Sequence, residues 1–430
     1  MTTRLHHLPL TRRLLLASSG VALAASHMPL RSVAARAPKE GMTDLVEGNT
    51  RFALDLYRQL RSGAEGNLIF SPYSVSVALA MAWVGAKGET ATQMAETLGL
   101  EGKPRAIGEG FRDLSRDMTE RGTGEEDTEQ GVAARGLVIA NAIWGVETVP
   151  FNADFVDTLV EDFDAGLYPV GFTGDPDGAR TEINDWIAAT TNDRIEDIVP
   201  EGAITTATRL VLTNAVWFSG PWRSTFNEDN TEDGDFTLLD GSTVTAAFMR
   251  KTTGYNYAAG DGWQAVELPY AGSGFAFLVI LPEEGEFDTV EGDLDSDLLE
   301  EIVAELADTQ VELHLPRFRF DNASNLVDSL EALGMTDAFS DAADFGGMLE
   351  GDLDEDLAIS DVLHKAFIDL NEQGTEAAAA TAVVIGATSA PMEDEPIELL
   401  IDRPFIFAIR DTESGTVLFL GRVLDPSDQA

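Results

Sequence analysis

A chain of 430 residues with 44% hydrophobic side chains is long enough to bury a large core, and its length alone suggests two or three domains. Its formal charge is −47; because Arg4, Arg12, Arg13, Arg31, Arg36 and Lys39 all precede the first acid, Glu40, the remainder carries 22 basic against 75 acidic residues, a net of −53. Such a surface argues against nucleic acid and anionic membrane as partners, and the absence of cysteine excludes disulfides, thiolate nucleophiles and thiolate metal sites.

In chain order, residues 1–38 carry the parts of an export signal: a basic start, an apolar run from Leu14 to Ala25, and small residues at Ala22-Leu23-Ala24 suited to cleavage. "TRRLLLA" (Thr11 to Ala17) resembles a twin-arginine export signal, so residues 39–430 are expected as the secreted body. Five lysines against 23 arginines in so acidic a chain resembles proteins of salt-loving microbes. Leu45, Phe52, Leu54, Leu56, Tyr57 and Leu60 recur at helical spacing. From Asn67 to Leu100 a short apolar strand leads into Ser71-Pro72, the cap and first turn of a helix apolar on nearly every face, which must be central to the core.

Further strands are predicted at 137–145, 210–218, 264–270, 275–282, 311–320 and 404–411, and helices at 151–163, 180–191, 290–306 and 324–333. The mixture lacks the regular alternation of a doubly wound sheet, which predicts a mixed α/β (α+β) fold. No P-loop, G-x-S-x-G elbow, H-E-x-x-H or G-x-G-x-x-G occurs. One weak metal candidate, "DNTEDGDFTLLD" (Asp229 to Asp240), puts Asp229, Asp233, Gly234 and Asp240 at EF-hand positions 1, 5, 6 and 12. Thr231 at position 3 and a short Asp240 where a bidentate glutamate belongs count against it. No metal or cofactor is expected, and the chain is not expected to be an enzyme.

The segment "NEQGTEAAAATAVVIGATSAPMEDEP" (371–396) is the informative one. Alanine is the best helix former, yet Gly374 precedes the alanines, β-branched Val383, Val384 and Ile385 close the run, and Gly386 and Pro391 follow. Propensity alone leaves a helix and an extended segment both open. Around it, "FSPYSVSVALAM", "LTNAVWFSGPW", "VELPY", "LHKAFIDLNEQGTEAAAATAVV" and "DRPFIFAIRDTESGTVLFLGRVLDP" occur in this order. From about residue 43 to 426 the chain resembles a serpin, a protease inhibitor that works by changing shape.

That resemblance implies one large domain with a large central sheet, smaller sheets, surrounding helices and an exposed reactive-centre loop at about 372–400. It implies that a serine protease cuts the loop and that the freed arm inserts into the main sheet, dragging the acylated enzyme with it. The hinge would comprise Glu372, Gly374, Thr375, Glu376, Ala377, Ala378, Ala379, Ala380 and Thr381, with Thr375 facing the core and Glu376 facing solvent in the inserted strand. The usual spacing from Glu372 puts the reactive bond at Thr388-Ser389, with Ala387, Ser389 and Ala390 as alternatives. A small residue there implies a subtilisin- or elastase-like partner, not a trypsin-like one.

By the same resemblance Ser71, Ser74, Asn214 and His364 match the polar cluster called the shutter, and Trp222 matches the breach at the insertion mouth; caps, strand polar groups and core packing are their plain structural alternatives. A monomer is expected, without a heparin-like polyanion as partner for want of a basic patch. The alternative is a non-inhibitory member acting as a binding or protective protein.

Overall fold

The apolar run from Pro72 to Trp83 can face water on no side, and it forms a helix whose 12 residues are all buried. Ser71, extended at φ −109°, accepts a hydrogen bond from the Ser74 amide at 3.4 Å, and Pro72 occupies the first turn, where no amide proton is needed. The computed structural model describes residues 42–128, 131–351, 357–376 and 395–428. None of their helices is long and apolar enough to cross a membrane.

Two sheets dominate. The first runs in the order Phe318–Asn325, Ile359–Asn371, Gly374–Thr375, Leu210–Pro221, Gly131–Val146, Gly124–Thr128, with Gly166–Val170 also paired to Gly131–Val146. The second runs Leu68–Phe70, Val417–Val423, Phe405–Asp411, Phe275–Pro282, Trp263–Pro269, Thr243–Gly260, Ala307–Pro316, Ile397–Leu400, with Glu232–Thr237 on the side of Thr243–Gly260. The core lies where they meet: Phe318 and Phe320 of the first sheet pack on Phe405 and Phe407 of the second, with Phe277 stacked on Phe407 at 5.4 Å. One continuous cluster of buried side chains joins both sheets and the helices, so the described residues form one domain in place of the several suggested by length.

The predicted strand 311–320 is two, because Arg317 marks where the chain leaves the second sheet and joins the first. The predicted helix 290–306 is likewise two, Phe287–Asp293 and Ser296–Glu305, since Asp295 caps a new start by accepting from the Leu298 amide at 2.9 Å. The helix predicted from 324 begins at Val327, because the residues before it belong to the strand Phe318–Asn325. The EF-hand match is overturned by pairing: Glu232–Thr237 is extended against Thr243–Phe248, which spreads Asp229, Asp233 and Asp240 along a hairpin instead of around a loop. Helix Pro104–Gly122 and the long strand Thr243–Gly260 were not foreseen.

Candidate functional site

In the middle of the first sheet, Ile359–Asn371 pairs in parallel with Leu210–Pro221 from Ile359↔Leu210 to Lys365↔Ala215. Above that point the two strands part. At the top the short strand Gly374–Thr375 lies between them, with Thr375 opposite Gly220 on one side and Leu370 on the other, and Gly374 opposite Pro221 and Asn371. Residues 216–219 and 366–369 thus face one another across a gap already entered at its upper end. A chain that is antiparallel to both neighbours can continue down it, forming ladder bonds on each side.

The hinge residues are placed one by one. Glu372 is 3% exposed; its carboxylate accepts from the Thr231 hydroxyl at 2.6 Å and pairs with Arg317 at 3.3 Å, while its carbonyl accepts from the Phe226 amide at 2.9 Å. Gly374, at φ +153°, passes so close to the opposite strand that a Cβ would stand 2.0 Å from the Gly220 carbonyl oxygen. Only glycine fits there. Thr375 is 2% exposed and its hydroxyl meets the Tyr270 hydroxyl at 2.5 Å. Glu376, whose solvent-facing position is an expectation for the inserted strand only, stands here just beyond Gly374–Thr375: its side chain is 12% exposed, and its Oε1 lies 2.5 Å from Arg194 Nη1. Glu376 itself lies outside the strand at φ +48°, with its side chain against Trp217 and Arg194. Ala377, Ala378, Ala379, Ala380, Thr381, Thr388 and Ser389 lie outside the described residues.

Trp222 closes the mouth of the gap. It is 1% exposed, stacks on Tyr270 with ring centroids 4.7 Å apart, donates its indole N–H to the Asn371 carbonyl at 2.9 Å, and donates its amide to the Gln373 carbonyl at 2.8 Å. The polar cluster sits lower, where the strands are still paired. His364 and Asn214 are cross-strand partners, as are Asn214 and Asn141. His364 Nδ1 meets Asn214 Oδ1 at 2.5 Å, Asn214 Nδ2 donates to Asn141 Oδ1 at 2.5 Å and to Ser74 Oγ, and Ser74 Oγ donates to Asn141 Oδ1 at 2.9 Å. The Ser71 amide donates to His364 Nε2 at 3.0 Å. The structure therefore brings Ser71, Ser74, Asn214 and His364 together beneath the parting strands.

Sequence reasoning missed several participants, among them Asn141, Tyr270 and Arg194, as well as Thr231 and Arg317 on Glu372 and Trp217 on Glu376. Asn141 had a signal, since "IANAIW" and "LTNAVW" are near-copies that lie side by side in register. Tyr270 ends the "VELPY" motif. Arg194 had no signal, because its loop is far from the hinge in sequence.

The His364 geometry sets a pH dependence. Because an amide N–H points at Nε2, the imidazole must be neutral with its proton on Nδ1. Burial pushes its pKa from 6.5 down to about 4. The unfolded chain takes up that proton as pH falls through 6.5 while the folded chain refuses it until about 4, so stability drops across that window and levels below it. Between pH 7 and 4 the wild type should lose about 3 kcal/mol more than His364→Gln. Denaturant unfolding at several pH values measures the difference; parallel curves would refute the assignment.

Residues 47–426 match the family described as serpin, a serine protease inhibitor. An uncharacterised serpin-like protein of Thermococcus kodakarensis is 39% identical over 391 residues, covering 91% of this chain and 88% of that protein. The leukocyte elastase inhibitor of Sus scrofa is 36% identical, covering 90% of this chain and all of its own length. Among solved structures, maspin superposes with a TM-score of 0.80 at 25% identity over 90% of this chain, and uncleaved ovalbumin with 0.78 at 25% over 89%. The chain belongs to the serpin family.

Proposed function

We propose that this serpin is an irreversible inhibitor of a serine protease of subtilisin- or elastase-like specificity. The protease's serine oxygen forms an ester with the Thr388 carbonyl as the Thr388-Ser389 peptide bond breaks and Ser389 gains a free amine. The freed arm then fills the gap and parts the paired lower halves of Leu210–Pro221 and Ile359–Asn371 before water can release the ester. Insertion of about 15 residues carries the enzyme roughly 50 Å at strand rise, from one pole of the domain to the other.

The observation that carries this reading is the seated hinge: Gly374 and Thr375 already occupy the top of the gap, so the first step of insertion needs no search. Small residues follow, and small side chains let paired strands part with little steric resistance. Speed matters because hydrolysis competes at typical enzyme turnovers of about 1–10³ s⁻¹. The basic, apolar leader supports export, so the target is a secreted protease or one met outside the cell.

Mixing the chain with subtilisin, an elastase and trypsin tests the specificity. The first two should be inhibited in a time-dependent way, and the released C-terminal fragment should begin at Ser389 by mass. Inhibition of trypsin alone, or a cut outside 387–390, would overturn it.

A further inference from the structure

The contact of Glu376 with the loop after helix Pro176–Thr190 has no part in the inhibitory step just described. That loop is sharply turned: Asn192, Asp193 and Asp197 all adopt positive φ, at 53°, 60° and 51°. Asn and Asp are the non-glycine residues that take up this region most readily. Thr191, fully buried, fixes the loop by accepting from the Ile195 amide at 3.1 Å and donating to the Ile187 carbonyl at 2.9 Å. The result presents Arg194, whose guanidinium lies 5.5 Å over the Trp217 ring and pairs with Glu376 at 2.5 Å. The loop also reaches the far side of the gap, where Lys365 Nζ donates to the Glu196 carbonyl at 3.2 Å.

Glu376 is gripped at four points. Its carboxylate takes Arg194 and the Trp217 indole N–H, its carbonyl accepts from Ser219 Oγ at 2.9 Å, and its amide donates to the Asp369 carbonyl at 2.7 Å. The last bond already lies on the inward path. The others hold the residue at φ +48°, whereas the next strand position requires a negative φ. The charges facing the carboxylate are Arg194, Arg319 and Asp369, and burial raises its pKa.

We propose that Glu376, held by Arg194 and Trp217, is a stop that arrests the uncut chain after Thr375 and so keeps the inhibitor from inserting its own loop before a protease arrives. This rests on the inhibitory reading. The direction follows from what remains when the grip is lost: the Thr375–Tyr270 bond and the ladder pairs of Gly374 and Thr375 stay intact, so the hinge stays seated and the open step is inward.

The test compares the wild type with Glu376→Gln, Arg194→Gln and the double variant, all uncut and equally folded by circular dichroism at time zero. Incubation is followed by the fraction of uncut chain that becomes resistant to heat, and by the fraction still able to trap subtilisin. Each single variant should convert about tenfold faster, the effect of losing one charge-assisted contact, and the double variant should be no faster than either. Arg194→Gln leaves the hinge sequence intact, so it carries the test if Glu376→Gln folds poorly. Conversion within twofold of wild type, or no conversion in any of them, overturns the stop. Faster trapping without conversion also overturns it, because the contact would then hold the hinge in. The heat readout uses no protease, so variants that convert faster in a chain that traps nothing would keep the stop and remove the inhibitory reading.

Discussion

Thr375→Arg should be cut at the same bond as the wild type but released as an ordinary substrate, with essentially no protease left trapped. Thr375 is 2% exposed with its hydroxyl 2.5 Å from Tyr270, beneath the stacked pair of Trp222 and Tyr270. An arginine there would carry its charge into a buried site beside Tyr270, at a cost of several kcal/mol. The hinge would be expelled, and each step of insertion would start from a less favourable position. Since trapping is a race, about 3 kcal/mol on the insertion barrier slows it more than a hundredfold and hands the acyl-enzyme to water. The initial cleavage rate should be unchanged, because Thr375 is remote from the bait bond in sequence. The measurement is the stoichiometry of inhibition against subtilisin, with the cleavage product followed by mass. Trapping at the wild-type ratio would show that the seated hinge is irrelevant to the outcome.

A single cut between Ala387 and Ala390 should raise the melting temperature by about 10–20 °C. The freed arm can complete the ladders that now stop at Thr375, where residues 216–219 and 366–369 face each other unjoined by the sheet pairing. About ten new backbone bonds at roughly 1 kcal/mol each give on the order of 10 kcal/mol. A chain of this size shifts by about 1–2 °C per kcal/mol, extrapolating from smaller domains. Nicking an ordinary exposed loop does the opposite, since it frees chain ends and adds no contacts. Thermal unfolding of the cut, purified chain decides; an unchanged or lower melting temperature would point to a member that does not insert.

Much of this was legible in the sequence because the informative residues keep local company. Ser71-Pro72 announces a helix start, and the apolar run behind it announces burial on every side; both are as found. Gly374-Thr375 stood out because glycine interrupts what would otherwise pass as a helix, and the structure shows a backbone approach that no Cβ survives. What stayed hidden depends on pairing between distant segments. Residues 311–320 read as one strand although Pro316 is a local break signal; the change of sheet at Arg317, which pairs with Glu372, is a matter of distant pairing. Thr243–Gly260 is a strand because it has neighbours on both edges, and its own exposure pattern alternates poorly. Glu376 is assigned outward only for the inserted strand; in the uncut chain it stands beyond Thr375 at positive φ and a remote arginine claims its carboxylate, a contact that no local pattern marks.

The seated hinge, the gap beneath it and the polar cluster at its foot line one path, which we propose a cut loop travels with the protease attached. A denaturing gel of the chain after brief mixing with an excess of subtilisin tests that most directly. A band is expected at the protease's mass added to nearly all of the chain's own, less the short released fragment, stable to boiling and absent when the protease's serine is blocked beforehand. Complete conversion to two cleavage fragments with no heavier band, and full recovery of protease activity, would contradict it.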